Sequence, residues 1–169
     1  MKFPKLLLAT LAILSCGVST KAATTLSPAK SLEVRNAVIA WVECEECTDG
    51  ELDRLLKYGE LAVPTLGAML ERGPSPANLE RYRLHLENSY RQLAEYSRTH
   101  PEVKLNPSPE AYVEQYLENY RALYAVRSAQ ALSKVGGEAA RRYLEAAGKR
   151  RMRADVSLAI QESLKALRR

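Results

Sequence analysis

The sequence predicts an all-α fold, and three observations carry that prediction. After the N-terminal leader, apolar residues recur at three- and four-residue steps in every segment. No run alternates with period two for long enough to make a strand. Pro and Gly stand at segment ends, often as Ser-Pro or Gly-Pro pairs, rather than inside the periodic stretches. Composition agrees: 169 residues, 46% hydrophobic and 27% charged, suit one globular domain and exclude collagen-like, mucin-like and strongly disordered chains.

The punctuation orders the elements. Ser27-Pro28 supplies an N-cap and a first helical residue for a helix to near Cys47, with Leu32, Val34, Val38, Ile39, Trp41 and Val42 on one broad face. Thr48-Asp49-Gly50-Glu51 reads as a capping box for a short helix with Leu52, Leu55 and Leu56 inward, closed by Gly59. Val63-Pro64 restarts helix as far as Arg72, burying Leu66, Met69 and Leu70, and Gly73-Pro74 stops it. Ser75-Pro76 opens a long helix to about Thr99, with Leu79, Tyr82, Leu86, Tyr90 and Leu93 in helical phase. His100 to Pro107 is a loop. Ser108-Pro109 caps a second long helix to about Val135, striped by Val113, Leu117, Tyr120, Tyr124, Ser128, Ala131 and Val135. The two long helices are expected to pair as an antiparallel hairpin. After Gly136-Gly137 come a short helix from Ala139 to Ala147, a basic linker from Gly148 to Arg153, and a last helix from Ala154 to Leu167.

Residues 1–22 read as a signal peptide. Lys2 and Lys5 form its positive end, Leu6 to Leu14 its apolar core, and Thr20-Lys21-Ala22 a cleavage site with small residues where the peptidase wants them. The apolar stretch is shorter than the roughly 20 residues a spanning helix requires, so no transmembrane segment is expected after cleavage. Ile13-Leu14-Ser15-Cys16-Gly17 offers a second processing site, a lipobox in which Cys16 would be lipidated; Leu14 is bulkier than that motif usually tolerates. The expectation is an exported protein, periplasmic or secreted, soluble or anchored through Cys16, with residues 23–169 as a single helical domain.

Charge is unevenly spread. The precursor carries +5, but residues 23–120 hold 10 basic and 16 acidic groups, whereas residues 121–169 hold 12 and 4. The basic end gathers Arg141, Arg142, Lys149, Arg150, Arg151 and Arg153. For an exported protein it points to an acidic protein partner or anionic lipid headgroups rather than nucleic acid, while a solvated interhelix linker is the more ordinary explanation.

Weak internal repetition is present. Tyr124, Ser128, Leu132 and Val135 match Val156, Ile160, Leu164 and Leu167 at an offset of 32 residues. Leu55, Gly59, Ala62, Leu66 and Leu70 match Leu132, Gly136, Ala139, Tyr143 and Ala147 at an offset of 77. Each unit is a helix, a Gly turn and a second helix beginning with small residues. Through the stretches Tyr124 to Ala147, Asp155 to Leu167 and Leu55 to Leu70, the chain resembles the HEAT-repeat family, in particular the short HEAT-like repeats of the phycobilisome-lyase type, as an exported bacterial member. That resemblance implies a short α-solenoid of antiparallel helix pairs whose second helices line a concave binding face. The long central hairpin departs from the pattern. A lyase activity does not follow, because helix-packing motifs carry architecture and not chemistry.

No catalytic constellation emerges, and no cofactor or metal site is expected. Cys44-Glu45-Glu46-Cys47 is the sharpest local motif. Acidic neighbours and a position at a helix C-terminus disfavour a reactive thiolate, and two further zinc ligands are missing, so a structural disulfide is the expected state. Tyr112, Tyr116, Tyr120 and Tyr124 step by four along one helix. The last two belong to its core stripe; Tyr112 and Tyr116 lie at its edge, where they pack on Tyr82, Tyr90 or Tyr96 or offer rings to a partner. The functional expectation is a non-enzymatic protein-binding or scaffold module. The competing reading is a periplasmic thiol-redox protein or sensor using Cys44 and Cys47.

Overall fold

A computed structural model describes residues 26–47 and 49–168, and the described residues are all-helical with no strands. The expected leader, with Cys16, lies outside them, as does Thr48 of the expected capping box. The helices are α1 (Pro28–Val42), α2 (Asp49–Leu56), a 3₁₀ turn (Gly59–Ala62), α3 (Val63–Arg72), α4 (Pro76–Thr99), α5 (Pro109–Val135), α6 (Gly137–Gly148) and α7 (Ala154–Ala166).

The three Ser-Pro pairs cap as their chemistry dictates. Ser27, Ser75 and Ser108 each hold extended backbone, and each hydroxyl accepts from the backbone N–H three residues on, at 3.3, 3.2 and 3.2 Å. The Pro that follows gives up no hydrogen bond, because its N–H would have no intrahelical partner. Gly59 and Gly136 turn the chain with φ of +49° and +76°, a region that costs a side chain steric strain.

One end was misjudged from sequence. α1 stops at Val42 with Glu43 as its C-cap, so Cys44 and Cys47 lie in the connection to α2 and not in a last helical turn. The apolar face of α1 narrows accordingly to Val34, Val38 and Val42, one residue per turn, and Leu32 points outward.

α5 is the axis of the packing. Its second half meets α3 on one side and α7 on another; α6 closes against α3, α5 and α7, and α1 lies across α2, α3 and α5. These elements share one core that includes Val38, Leu55, Leu66, Tyr124, Leu132, Leu144 and Ile160, all fully or nearly fully buried. α4 packs closely on α5 alone. The two fold back antiparallel, as Tyr82 against Tyr120 and Tyr90 against Tyr112 require. Away from the body they keep a small second core of Leu86, Val113 and Leu117. The hairpin is thus an arm with two-helix support, which is why Leu86 is the one buried residue of α4 and Leu93 is left exposed.

Candidate functional site

The densest polar arrangement sits where α1, α4 and α5 converge. Glu43, just past the end of α1, accepts with a single carboxylate oxygen from the Tyr120 hydroxyl at 2.8 Å, from the Asn78 side-chain amide at 3.0 Å, and from the Tyr124 hydroxyl. The same amide also donates to the Tyr124 hydroxyl at 3.2 Å. Tyr124 is the largest fully buried side chain of the core. Removal from water first, then hydrogen bonding with the Glu43 carboxylate and, for Tyr120, with Tyr124, pushes both tyrosine hydroxyls above their ordinary range. Both therefore stay neutral donors, and the carboxylate is fixed at three points.

One turn further along α5, Arg127 completes the junction. Its Nη1 donates to the carbonyls of Val42 at 2.8 Å and Cys44 at 2.5 Å, carbonyls that the end of α1 leaves without helical partners. Trp41 returns the contact, its indole N–H donating to the Arg127 carbonyl at 3.1 Å. Burial pulls the Arg127 pKa below the usual arginine value, and the guanidinium remains charged.

Cys44 and Cys47 are brought to disulfide distance, with Cα atoms 5.3 Å apart. Cys44 is half-buried against Arg127, whose Nη1 lies 3.4 Å from its sulfur, and Cys47 is exposed. Sequence reasoning saw the acidic flanks of this pair and missed the arginine, which approaches from 83 residues away. The signal lay in Tyr120, Tyr124 and Arg127, spaced i, i+4 and i+7 on one helix face.

The tyrosines form two linked sets. Tyr82, Tyr120 and Tyr124 are in ring contact at 4.5 and 5.2 Å, and Tyr90, Tyr112 and Tyr116 at 5.3 and 4.7 Å. Tyr90 closes the far end by donating to the Pro107 carbonyl at 2.8 Å. Of the two edge candidates, Tyr112 is half-buried against Tyr90, and Tyr116 remains 40% exposed.

The basic residues meet different partners. Arg141 donates to the Leu167 carbonyl at 3.2 Å and so caps α7, while Arg142 lies beside Glu71 and Tyr143 at the α3–α6 contact. Arg150, Arg151 and Arg153 do share a cleft of about 310 Å³ over Ala122, Ala125 and Val156. Much of its charge is already answered there. Arg153 grips Asp155 with two hydrogen bonds of 3.1 and 2.7 Å and holds Asn119; Arg121 pairs with Glu114; and Glu118 lines the same cleft. Lys149 and Arg151 form no ion pair among the described residues.

Among the described residues no group of three or more His, Cys, Asp and Glu could hold a metal ion, and no helix is long and apolar enough to cross a membrane. Set against protein-family models, curated proteins and solved structures, the chain matches none of them.

Proposed function

We propose that the protein is an exported, non-enzymatic protein-binding module of HEAT-like construction, and that it holds its partner on the α4/α5 arm. The observation that carries this reading is the arm's exposed apolar surface. Four of the seven exposed large apolar residues among those described (Leu84, Leu93, Tyr96 and Tyr116) belong to its two helices. Tyrosine suits such a surface, since a ring covers much area at little entropic cost while its hydroxyl stays wet. The HEAT-like part of the reading is supported by the shared plan of two units. The α2-to-α3 segment and the end of α5 with α6 each join helix to helix through a positive-φ glycine, and α3 packs on α6 as α5 packs on α7.

The test is site-specific photocrosslinking in the envelope fraction from a reactive group at position 116, with position 142 as the comparison. A discrete protein adduct from 116, lost in Tyr112→Ala, is the expected result. Adducts from neither position would end the reading, and adducts from 142 alone would move the surface to α6.

A second reading has one observation in its favour. Arg127 beside the Cys44 sulfur would stabilise a thiolate there once the pair is reduced, and so offsets the acidic flanks. Fast exchange of the pair with a small dithiol, slowed in Arg127→Ala, would make it a thiol-redox protein instead.

A further inference from the structure

A groove of about 520 Å³ runs between α1, α3 and the first turn of α4, a volume in the ordinary range for small-molecule sites. Its walls are mostly apolar, with Ile39, Ala68, Met69 and Leu79 prominent, and Arg35 and Arg72 stand exposed at its rim. From these features we propose that the groove binds a single-chain amphiphile with a carboxylate head, the chain lying along the apolar walls and the head between the two arginines. This site is separate from the arm, and the proposal does not depend on the reading of the arm.

Three comparisons within the molecule favour it. The first concerns charge. The larger groove between α1 and α2, of about 620 Å³, is lined by Glu33 and Glu51, which answer two of its three cations, Lys30 at 2.9 Å and Arg54 at 2.7 Å. In the basic cleft Arg121 and Arg153 are answered likewise, and Glu118 stands in the lining with Arg150 and Arg151, whereas among the described residues no carboxylate lines the groove of Arg35 and Arg72. Arg35 and Arg72 meet no carboxylate within ion-pair distance among the described residues. Arg72, in the last turn of α3, complements that helix's dipole and keeps its guanidinium free for a planar, bidentate partner.

The second comparison separates an acyl chain from a peptide. A peptide brings backbone N–H and C=O groups that need partners wherever they are buried. The polar side chains on these walls are largely committed elsewhere: the Asn78 amide to Glu43 and Tyr124, the Ser75 hydroxyl to the Asn78 backbone, and the Tyr124 hydroxyl to Glu43. A hydrocarbon chain asks nothing of them. The third sets the direction of the ligand. Glu43 lies behind Tyr124 and Asn78 at the inner wall, which disfavours an anion there and leaves the arginine rim for the head.

Calorimetric titration of the full-length processed protein with dodecanoate, dodecanol and acetate, each below its aggregation concentration, tests this. One dodecanoate should bind per chain, more tightly than dodecanol, with acetate undetectable. Arg35→Gln with Arg72→Gln should weaken dodecanoate about tenfold and leave dodecanol unchanged. Ala68→Trp should fill the groove and abolish both, with the helical circular dichroism intact. Tyr116→Ala should bind like the unaltered chain, which keeps this result distinct from the test of the arm. Equal binding of dodecanoate and dodecanol, indifference to the arginine pair, or absence of binding would overturn the proposal. Displacement of dodecanoate by an apolar tetrapeptide with a free C-terminal carboxylate, but not by its amide, would also overturn it and assign the groove to a protein terminus.

Discussion

Arg127 caps the end of α1 from α5, its Nη1 2.5 Å from the Cys44 carbonyl and 2.8 Å from that of Val42. The bonds are charge-assisted and partly buried, so the carbonyls lose more than a surface contact when they are cut. Arg127→Ala should cost roughly 2–3 kcal/mol in urea unfolding. Arg127→Lys should recover only part, because an ammonium is more strongly hydrated than a guanidinium and costs more to remove from water. A loss below about 0.5 kcal/mol would show that water replaces the guanidinium freely.

Alkaline stability should be set by the tyrosines. Burial, the first cause in each case, raises the hydroxyls of Tyr82, Tyr112, Tyr120 and Tyr124 above the ordinary tyrosine value, and the unfolded chain titrates near that ordinary value of about 10. Each therefore contributes stability that is fully present below about pH 10 and is lost as pH climbs from there towards the folded-state value. Between about pH 9 and 12 the part of the tyrosinate absorbance that Tyr120→Phe with Tyr124→Phe removes should rise as the far-UV circular dichroism falls. Tyr120→Phe with Tyr124→Phe should be less stable at pH 7 and should flatten the alkaline loss. Appearance of that part well before unfolding would contradict this.

Gly67 permits the α3–α6 contact, because a Cβ built there falls inside van der Waals contact with the Tyr143 ring. Gly67→Ala should destabilise by about 1–3 kcal/mol despite its better helix propensity. Combined with Tyr143→Leu, the loss should be smaller than the sum of the two single losses, by at least about 0.5 kcal/mol in a double-mutant cycle. Strict additivity would place the ring elsewhere.

Ser128 is fully buried in the middle of α5, and its hydroxyl has no hydrogen-bond partner among the described residues. Ser128→Ala should be neutral to stabilising by about 1 kcal/mol, since it removes an unpaired polar group and little volume. A thermal midpoint lowered by several degrees would reveal a partner for that hydroxyl.

The Cys44–Cys47 bond closes so short a loop that loop entropy assigns it about 2 kcal/mol at most. Arg127 and the Glu43 cluster already hold the preceding residues. Reduction should therefore lower stability modestly and leave the helices in place, as monitored by circular dichroism with and without dithiol. Thiol counting on the unreduced protein should find neither cysteine free. Global unfolding on reduction would make the bond the principal tie of this junction.

The helices and most of their ends are legible in the local sequence. Ser27-Pro28, Ser75-Pro76 and Ser108-Pro109 are local instructions, and so are Gly59 and Gly136; each acts on backbone within a few residues and needs no tertiary partner. Periodicity likewise reports which face of a helix seeks cover, and Leu66 and Leu132 are buried as their phase requires. The end of α1 was misjudged because Trp41 and Val42 continue an apolar pattern towards Cys47, whereas the chain there is held by groups the pattern cannot contain.

Those partners come from packing across the whole fold. Glu43 looks like one acid among several in the sequence, and its bonds to Tyr120 and Tyr124 span 77 and 81 residues. The cluster of C-terminal basic residues looks like one patch, yet Arg141 caps α7 and Arg153 holds Asp155, while Arg35 and Arg72, 37 residues apart in the chain, share an apolar groove. The physical reason is range. Caps and helix phase are fixed by neighbours within a turn or two, but which charges meet is fixed by the rotation and offset of packed helices, and these come from the whole core at once.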